Sequence, residues 1–213
     1  MIPGIESASS VAPSKRPLRL ALKGVTYTGV WYDGPAPKPE TFPSWETITY
    51  EFAGTQYTSD RTIRVKWYDG KRDGVPNLPP ADLAQLPGTE KLPANGSLFI
   101  GEKGVLLCEH GGPRSMPRLL PEDRFVGYPI PKLEEVDHYL QWTNAIRGEG
   151  KTTSNFDYAG ALTETVLLGT VASRFAGEQL AWDSANLRFT NVPKANDYVR
   201  QAYRKGWEVQ GLS

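Results

Sequence analysis

The most unusual ionisable residue in this 213-residue sequence is Glu164, which interrupts the otherwise apolar segment SNFDYAGALTETVLLGTVASRF. The segment predicts a helix with almost no polar face, and such a helix is normally surrounded by protein. An isolated buried charge is very costly, so the Glu164 carboxylate must be hydrogen-bonded, paired or protonated. It is either held by an internal partner, for example Arg118 or Arg124, or directed into a cleft where it does chemistry.

Histidine and cysteine offer few further candidates. His110 follows Cys108 by two residues on a predicted strand end, and residues two apart on a strand share a face. A Cys–His pair is therefore open, but an active thiol also needs an electropositive, partly exposed setting, and a small buried thiol is the alternative. His138 lies on a predicted helix one turn before Trp142 and is either a functional group or a packing residue.

The motif WYDG occurs twice, at residues 31–34 and 67–70. Asp-Gly favours a turn, so each motif is typical of a strand end. Tryptophan and tyrosine beside an aspartate can also stack on a sugar and hydrogen-bond to it. Trp67 and Tyr68 are therefore candidate sugar-binding residues, with a purely structural role as the alternative.

Alternating apolar residues predict the strands that would position these groups. Residues 46–52 and 62–68 alternate with period two and predict an antiparallel hairpin, and residues 97–110 predict a second one beside it. Residues 71–96 between them are rich in proline and glycine and predict a long loop. One or two more strands are expected within residues 18–34.

Helical spacing begins at Glu134 and ends at Arg147-Gly148, which predicts an amphipathic helix that covers the sheet. The apolar helix follows, with Ser154 and Asp157 in a capping arrangement. A small hairpin around residues 184–186 and a short helix over residues 194–207 complete the order. The sequence therefore predicts a single α+β domain over residues 1–213, with an open, mostly antiparallel sheet and helices packed on one face.

Composition excludes several classes of function. Lysine plus arginine and aspartate plus glutamate number 24 each, so no net field favours nucleic acid or an anionic membrane. One cysteine leaves no internal disulfide, and no Cys or His pair has metal-ligand spacing. Neither a secretory segment nor an apolar run of the ~20 residues that span a bilayer is visible, so a soluble and by default cytoplasmic protein is expected. Neither GxGxxG nor GxxxxGK[ST] occurs, so the chain has no recognisable nucleotide cradle.

One family resemblance covers most of residues 42–209. The apolar segment and LAWDSANLRFTNVPKANDYVRQAYRKGWEV after it, with FPSWETITYEF, VKWYDG, GSLFIGEKGVLLC and RLLPED, resemble the C-terminal domain of bacterial Gfo/Idh/MocA-like oxidoreductases. The resemblance implies a domain that binds a sugar, a polyol or a related carbohydrate and supports oligomerisation. In such enzymes a separate N-terminal Rossmann domain holds NAD(P), and hydride moves between the nicotinamide and a substrate carbon.

The chain departs from this family at its front. GIESASS (residues 4–10) resembles the first strand after the Rossmann half, so the cofactor loop and the catalytic motifs would lie upstream of Met1. No catalytic, cofactor-binding or metal-binding residue is carried over. Because the cofactor is the reactive partner in hydride transfer, the chain is not expected to be catalytic alone.

The resemblance also places the apolar helix between the sheet and the missing Rossmann domain, with its beginning near the substrate cleft and Glu164 held internally. Together with the candidates above, the predicted substrate-binding residues are Asn155, Asp157, Tyr158, His138, Trp67 and Tyr68. A homo-oligomer is expected through the free face of the sheet. Two alternatives are a cofactor-free carbohydrate-binding or scaffold protein, and a small carbohydrate lyase or hydrolase that uses Asp157, Glu164 or His138.

Overall fold

The computed structural model describes residues 27–36, 38, 40–111, 116–132, 134, 136–200 and 202–208. These residues form two compact units, the first within residues 78–159 and the second within residues 27–77 and 160–208. Both units contain antiparallel sheets with few helices, which confirms the α+β class at this coarse level. The strands of the described residues belong to three sheets, whereas the sequence predicted one open sheet. The strand predictions for residues 4–10 and 18–26 lie outside the described residues.

The second unit is organised around a four-stranded antiparallel sheet in the order β1-β2-β3-β4. Its strands are β1 (Tyr27–Asp33), β2 (Trp45–Ala53), β3 (Thr62–Arg72) and β4 (Val75–Pro76). The alternating pattern correctly predicted the β2–β3 hairpin, and β3 runs past its predicted end to Arg72. Opposite residues of an antiparallel pair share a face, so Tyr32 on β1 and Trp67 on β3 both lie on the side of Ile48.

One face of this sheet carries the core of the unit, because helix α2 (Phe156–Ala172) packs on it through its C-terminal half. The β2 residues Ile48, Tyr50 and Phe52 are buried there, and we call this side the helix face. A Cβ on Gly169 would collide with the Tyr50 hydroxyl, so glycine lets the helix approach the strand closely. The opposite side, with Thr47, Thr49 and Glu51, is called the outer face.

A short hairpin completes the core of the second unit. Strands β8 (Trp182–Asp183) and β9 (Arg188–Phe189) pair as predicted, and Leu180 bridges to Val30 of β1. The predicted last helix is wrong, because only a 3₁₀ turn forms over Pro193–Tyr198. The Asn196 side chain accepts a hydrogen bond from the Phe189 amide (2.7 Å) and donates one to its carbonyl (3.0 Å), so it fixes the turn to β9 in place of a regular helix.

The first unit has a three-stranded sheet and a much smaller core. Strands β5 (Gly96–Gly101) and β6 (Gly104–Glu109) form the predicted second hairpin, and β7 (Arg118–Leu120) pairs with β6. The buried residues of this core are Val105, Leu107 and Leu120, and Leu86 and Leu98 pack against them.

The segment over residues 71–96 has more structure than the predicted loop. It contains the end of β3, all of β4 and a 3₁₀ turn over Ala81–Ala84. Ala84 in that turn is completely buried. Proline and glycine content indicated breaks in regular structure but did not indicate that a short turn between them would be packed.

Helix α1 (His138–Ile146) differs from its prediction in start and packing. It begins four residues after Glu134 because Asp137 caps it, accepting hydrogen bonds from the Tyr139 and Leu140 amides at 2.9 and 3.0 Å. Its end is as predicted, with Gly148 in the left-handed conformation. No residue of α1, all of which the structure describes, is buried, so the expected cover of a sheet by this helix is not found.

Helix α2 differs from the prediction at both ends and in its surroundings. It begins at Phe156, because Asn155, rather than Ser154, supplies the capping oxygen. It ends at Ala172. The predicted burial on every side is not found: Leu168 is 4% exposed, but its neighbour Leu167 is 55% exposed and Phe156 at the helix start is 93% exposed. Among the described residues, no helix combines the length and the apolar character needed to cross a membrane.

Candidate functional site

The Glu164 carboxylate is held by an indole and a hydroxyl. Its Oε1 accepts a hydrogen bond from the Trp182 Nε1 at 2.8 Å and another, short one from the Ser184 Oγ. Trp182 is buried, so its N–H needs an acceptor, and Glu164 provides it. The acid inside the apolar helix therefore ties the β8–β9 hairpin to α2. This structural role matches the internal partner expected from the sequence, although the partner is not an arginine.

Arg118, which the sequence suggested as that partner, belongs to a separate ion network. Its Nη1 lies 2.6 Å from the Glu90 Oε1, and its Nε lies 2.9 Å from the Glu122 Oε1. Hydrogen bonds to Glu90 and then to Glu122 raise the pKa of Arg118. A cleft of about 240 Å³ beside it is lined by Phe125 and Tyr128, whose rings meet edge to face.

The polar residues at the start of α2 lie together in one turn of the first unit. The Asn155 Oδ1 accepts from the Tyr158 amide at 3.2 Å, and its Nδ2 donates to the Thr152 carbonyl at 3.4 Å. Asn155 therefore serves the helix start, and its amide is partly engaged. Asp157 is exposed in the first turn, where the helix dipole favours a carboxylate, and the Tyr158 side chain is exposed beside it.

His138 is the first residue of α1 and is exposed. Its ring packs on Tyr139 at 4.2 Å between centroids. Within the same helix, the Gln141 Oε1 accepts from both the Thr153 amide and the Thr153 hydroxyl at 3.0 Å. These bonds join α1 to the residues just before α2, so His138 and the Asn155 turn belong to neighbouring, hydrogen-bonded segments of the first unit.

Trp67 and Tyr68 point to opposite sides of the sheet. Trp67 pairs with Ile48 on the helix face and is 57% exposed, whereas Tyr68 pairs with Thr47 on the outer face. Burial raises the pKa of the Tyr68 phenol. Because neighbouring strand residues alternate between faces, the two side chains cannot line one site within the sheet. The predicted pair must therefore be divided between two surfaces.

The end of β2 and β3 contains residues that the sequence did not single out. The Asn77 Nδ2 donates to the Glu46 carbonyl at 2.8 Å and to the Thr47 Oγ1 at 3.2 Å, which fixes this end of the hairpin. Glu46 stands opposite Asp69, and its Oε2 is buried without a hydrogen-bond partner among the described residues. Burial, and then the charge of Asp69, raise the pKa of Glu46.

Cys108 has the properties of a structural thiol. It lies on β6 opposite Ser97, whose Oγ is 3.1 Å from the His110 Nε2. The two residues can therefore share a face, as their spacing allowed. Burial raises the pKa of the Cys108 thiol, however, and this disfavours the nucleophilic thiolate. The described geometry thus favours the small half-buried thiol.

The residues that sequence reasoning missed are partners supplied by distant elements. Trp182 and Ser184 lie on a hairpin 18 and 20 residues after Glu164, and no periodic pattern relates them to the acid. Glu46 interrupts the apolar positions of β2 at their start, and this was the available signal. Among the described residues, no group of three or more His, Cys, Asp or Glu side chains is arranged to hold a metal ion.

Comparison with models of known protein families finds no family that matches this chain. A comparison with curated proteins likewise finds no matching relative.

Proposed function

We propose that this chain is the substrate-binding and oligomerisation domain of an NAD(P)-dependent oxidoreductase that acts on sugars or polyols, and that it is not catalytic alone. The observation that carries the proposal is the exposed apolar face of α2. Leu162 and Val166, four residues apart, and Leu167 beside them are all exposed large hydrophobic residues, although Leu168 and Val171 on the same helix are core residues. An exposed apolar surface of this kind is typical of an interface with another protein body.

The covering body is proposed to be a nucleotide-binding domain, as the sequence resemblance to the Gfo/Idh/MocA-like oxidoreductases implies. The chain itself contains no glycine-rich phosphate-binding loop, so NAD(P) would be held by that companion, which would supply the hydride chemistry. The contribution of this chain would be to bind the carbohydrate and to exclude water from it. No residue of this chain is assigned a proton-transfer step.

Substrate contact is proposed at the start of α2. The exposed Asp157 carboxylate and the Tyr158 hydroxyl can accept and donate hydrogen bonds to sugar hydroxyls, and His138 lies on the neighbouring hydrogen-bonded segment. Glu164 is not assigned to substrate, because its Oε1 already accepts two hydrogen bonds from within the protein.

A homo-oligomer is proposed through the four-stranded sheet, but on its helix face rather than on the free face that the sequence suggested. The exposed residues Ile63, Val65 and Trp67 form an apolar row on β3, on the helix face beside the part that α2 covers. The outer face instead carries charged residues, including the Arg64–Glu51 ion pair at 2.8 Å. An apolar row is better suited to a contact with a second copy than a charged face.

Two rival functions remain as proposals. A cofactor-free carbohydrate-binding or scaffold protein would use the same turn of Asp157 and Tyr158 without a companion. A small lyase or hydrolase would need Asp157, Glu164 or His138 as its acid or base. The engagement of Glu164 by Trp182 and Ser184 disfavours the version that depends on Glu164.

The deciding experiment supplies the companion. The chain is mixed with, or fused behind, a nucleotide-binding domain of the resembled family, and NAD(P)H absorbance is followed with a panel of sugars and polyols. We expect no turnover by the chain alone, and assembly with cofactor-dependent turnover in the mixture. Val166→Glu should prevent assembly because it places a charge in the exposed surface of α2. Val75→Glu is the matched control, since Val75 is an exposed valine on β4, 66% exposed against 53% for Val166.

The outcomes separate the rivals. If the companion neither binds nor restores turnover, and Asp157→Asn removes sugar binding by the chain alone, the cofactor-free binding protein is the better reading. Carbohydrate cleavage without any cofactor, lost in Asp157→Asn or His138→Ala, would establish the lyase or hydrolase instead.

A further inference from the structure

The two WYDG motifs lie on either side of β2, at the same end of the sheet. In the register, Trp31 and Lys66 stand opposite Thr49, while Asp33 and Tyr68 stand opposite Thr47. The register places the tryptophan of the first motif and the tyrosine of the second on the outer face. Two small threonines separate them.

We propose that this part of the outer face is a binding site for a neutral oligosaccharide, and we call it the outer platform: Trp31, Asp33, Thr47, Thr49, Lys66 and Tyr68. It rests on the carbohydrate class of the proposed function, but it requires neither the cofactor nor the companion. It is also distinct from the substrate contact proposed at the start of α2, which is directed at a single sugar or polyol.

The spacing of the two aromatic residues argues for more than one sugar ring. They lie two strands apart and two residues apart along the strands, so their Cβ atoms are separated by about 12 Å from standard sheet dimensions. One pyranose cannot stack on both rings at that separation, whereas two rings of one oligosaccharide can. Trp45, the third aromatic residue on this face, has the Arg72 guanidinium 4.9 Å from its ring centre and is already engaged.

The polar groups of the outer platform suit a neutral ligand rich in hydroxyls. Asp33 and Lys66 are exposed and carry opposite charges, so the platform has no net charge to favour a phosphate or an acidic peptide. The Thr47 Oγ1 accepts from the Asn77 amide at 3.2 Å, which leaves its O–H able to donate. Burial raises the pKa of Tyr68, so its hydroxyl remains a donor at neutral pH.

Both aromatic residues of the outer platform are partly accessible. Trp31 and Tyr68 are each half-buried, so part of each ring is open to a ligand on this face. Thr49, which has Trp31 and Lys66 as its direct cross-strand neighbours, is only 4% exposed.

The test is a titration of the chain with maltotriose, cellotriose and chitotriose, followed by amide and indole NMR shifts. We expect at least one trisaccharide to bind the chain saturably. Methyl glucoside should bind the chain at least about tenfold more weakly, because a single sugar can stack on only one of the two aromatic side chains. Trp31→Ala and Tyr68→Ala should each weaken binding about tenfold. Tyr57→Ala is the matched control and should leave the affinity within about twofold, because Tyr57 is an exposed tyrosine in the turn between β2 and β3, at the other end of the hairpin.

Asp33→Asn keeps the test informative if an aromatic variant loses its fold, since Asp33 is exposed and its replacement is conservative. It should weaken trisaccharide binding a few-fold with an unchanged melting temperature. The proposal is overturned if none of the three trisaccharides binds, or if Tyr57→Ala weakens binding as much as Tyr68→Ala. A change of molecular mass in Trp31→Ala without a change in affinity would instead show a contact between copies.

Trisaccharide binding does not depend on the companion experiment. Loss of the outer platform should leave assembly and NAD(P)-dependent turnover intact, whereas failure of the companion to assemble leaves the titration unaffected. The two proposals can therefore fail separately.

Discussion

Two faces of α2 are both apolar and have different surroundings. One face places Leu168, Val171 and Ala172 in the core of the second unit, with residues of β1 and β2. The other face leaves Leu162, Val166 and Leu167 exposed. Hydrophobicity alone therefore does not determine burial. Contact with the sheet determines it, and the sheet lies against only one face of the helix.

This difference has an energetic meaning. Burying a leucine stabilises a protein by roughly 1.5–3 kcal/mol, and the face of α2 on the sheet gains this within the chain. The exposed face gains nothing until something covers it. A sequence that keeps apolar residues there supports a function that depends on a further contact.

The largest expected effect compares two adjacent leucines of α2. Leu168→Ala should lower the free energy of unfolding by about 2–5 kcal/mol, because it leaves a cavity in the core. Leu167→Ala should change it by no more than about 0.5 kcal/mol, because Leu167 is 55% exposed. Urea unfolding followed by circular dichroism measures both values.

Equal losses at the two positions would show that the exposed face of α2 is covered in the isolated chain, for example by a second copy. The same pair measured after assembly with the companion sharpens the comparison. Leu167→Ala should then weaken assembly, whereas Leu168→Ala should act mainly on stability.

The next effect concerns the polar link between α2 and the β8–β9 hairpin. Glu164→Ala should cost about 1–3 kcal/mol, because it removes two hydrogen bonds and leaves the buried Trp182 N–H without its acceptor. Glu164→Gln is the matched control, since its amide oxygen can still accept from both donors, and it should cost less. The Trp182 indole proton should move in the NMR spectrum of the alanine variant. If Glu164→Ala were as stable as the unsubstituted protein, the hypothesis that Glu164 serves as a catalytic acid or base would again be favoured.

Two glycines of α2 provide a test with smaller effects, in which the change in stability should have opposite signs at the two positions. Gly169→Ala forces a Cβ against Tyr50, so overpacking of about 1–3 kcal/mol should outweigh the helix propensity that alanine adds. A Cβ on Gly160 meets nothing within 4 Å, so Gly160→Ala should stabilise the isolated chain by about 0.5–1 kcal/mol. Thermal unfolding of the two variants should therefore shift in opposite directions. A rise in the melting temperature of Gly169→Ala would contradict the close approach of α2 to β2.

The sequence predicted those parts of the fold that depend on local pattern. The β2–β3 hairpin follows from alternating apolar residues, the β5–β6 hairpin from two apolar runs around a glycine-rich turn, and α2 from one long apolar segment. The start of α1 was misplaced because the cap of Asp137 outweighed the apolar spacing that began at Glu134. Local pattern also correctly indicated that Glu164 would need a partner, because the cost of a buried charge is general.

The partners themselves could not be predicted in this way. Trp182 and Ser184 reach Glu164 because the β8–β9 hairpin packs against α2, and no local sequence pattern indicates that packing. Similarly, adjacency in the sequence suggested Trp67 and Tyr68 as one site, whereas strand alternation separates them. Pairing Tyr68 with Trp31 required the register of three strands.

The smallest effect tests the polar edge of the sheet at Glu46, where the apolar positions of β2 begin. Burial and the charge of Asp69 raise its pKa above the ordinary value of 4.5, so the folded protein holds this proton more tightly than the unfolded chain. Stability should therefore fall as the pH rises from 4.5 through the raised pKa. Glu46→Gln removes this dependence and should gain stability relative to the unsubstituted protein between about pH 4 and pH 7.

Urea unfolding across that range measures the difference, with Glu178→Gln as a control for the loss of one exposed carboxylate of the same unit. A gain in the free energy of unfolding that grows with pH in Glu46→Gln, and not in Glu178→Gln, would show that folding disfavours the ionised form of Glu46. A loss of stability that grows with pH would mean that ionised Glu46 is bonded to a cationic or donor group. In that case the ionised Glu46 side chain would stabilise the end of the sheet through its hydrogen bonds, whereas Ile48, Tyr50 and Phe52 stabilise the centre through apolar burial.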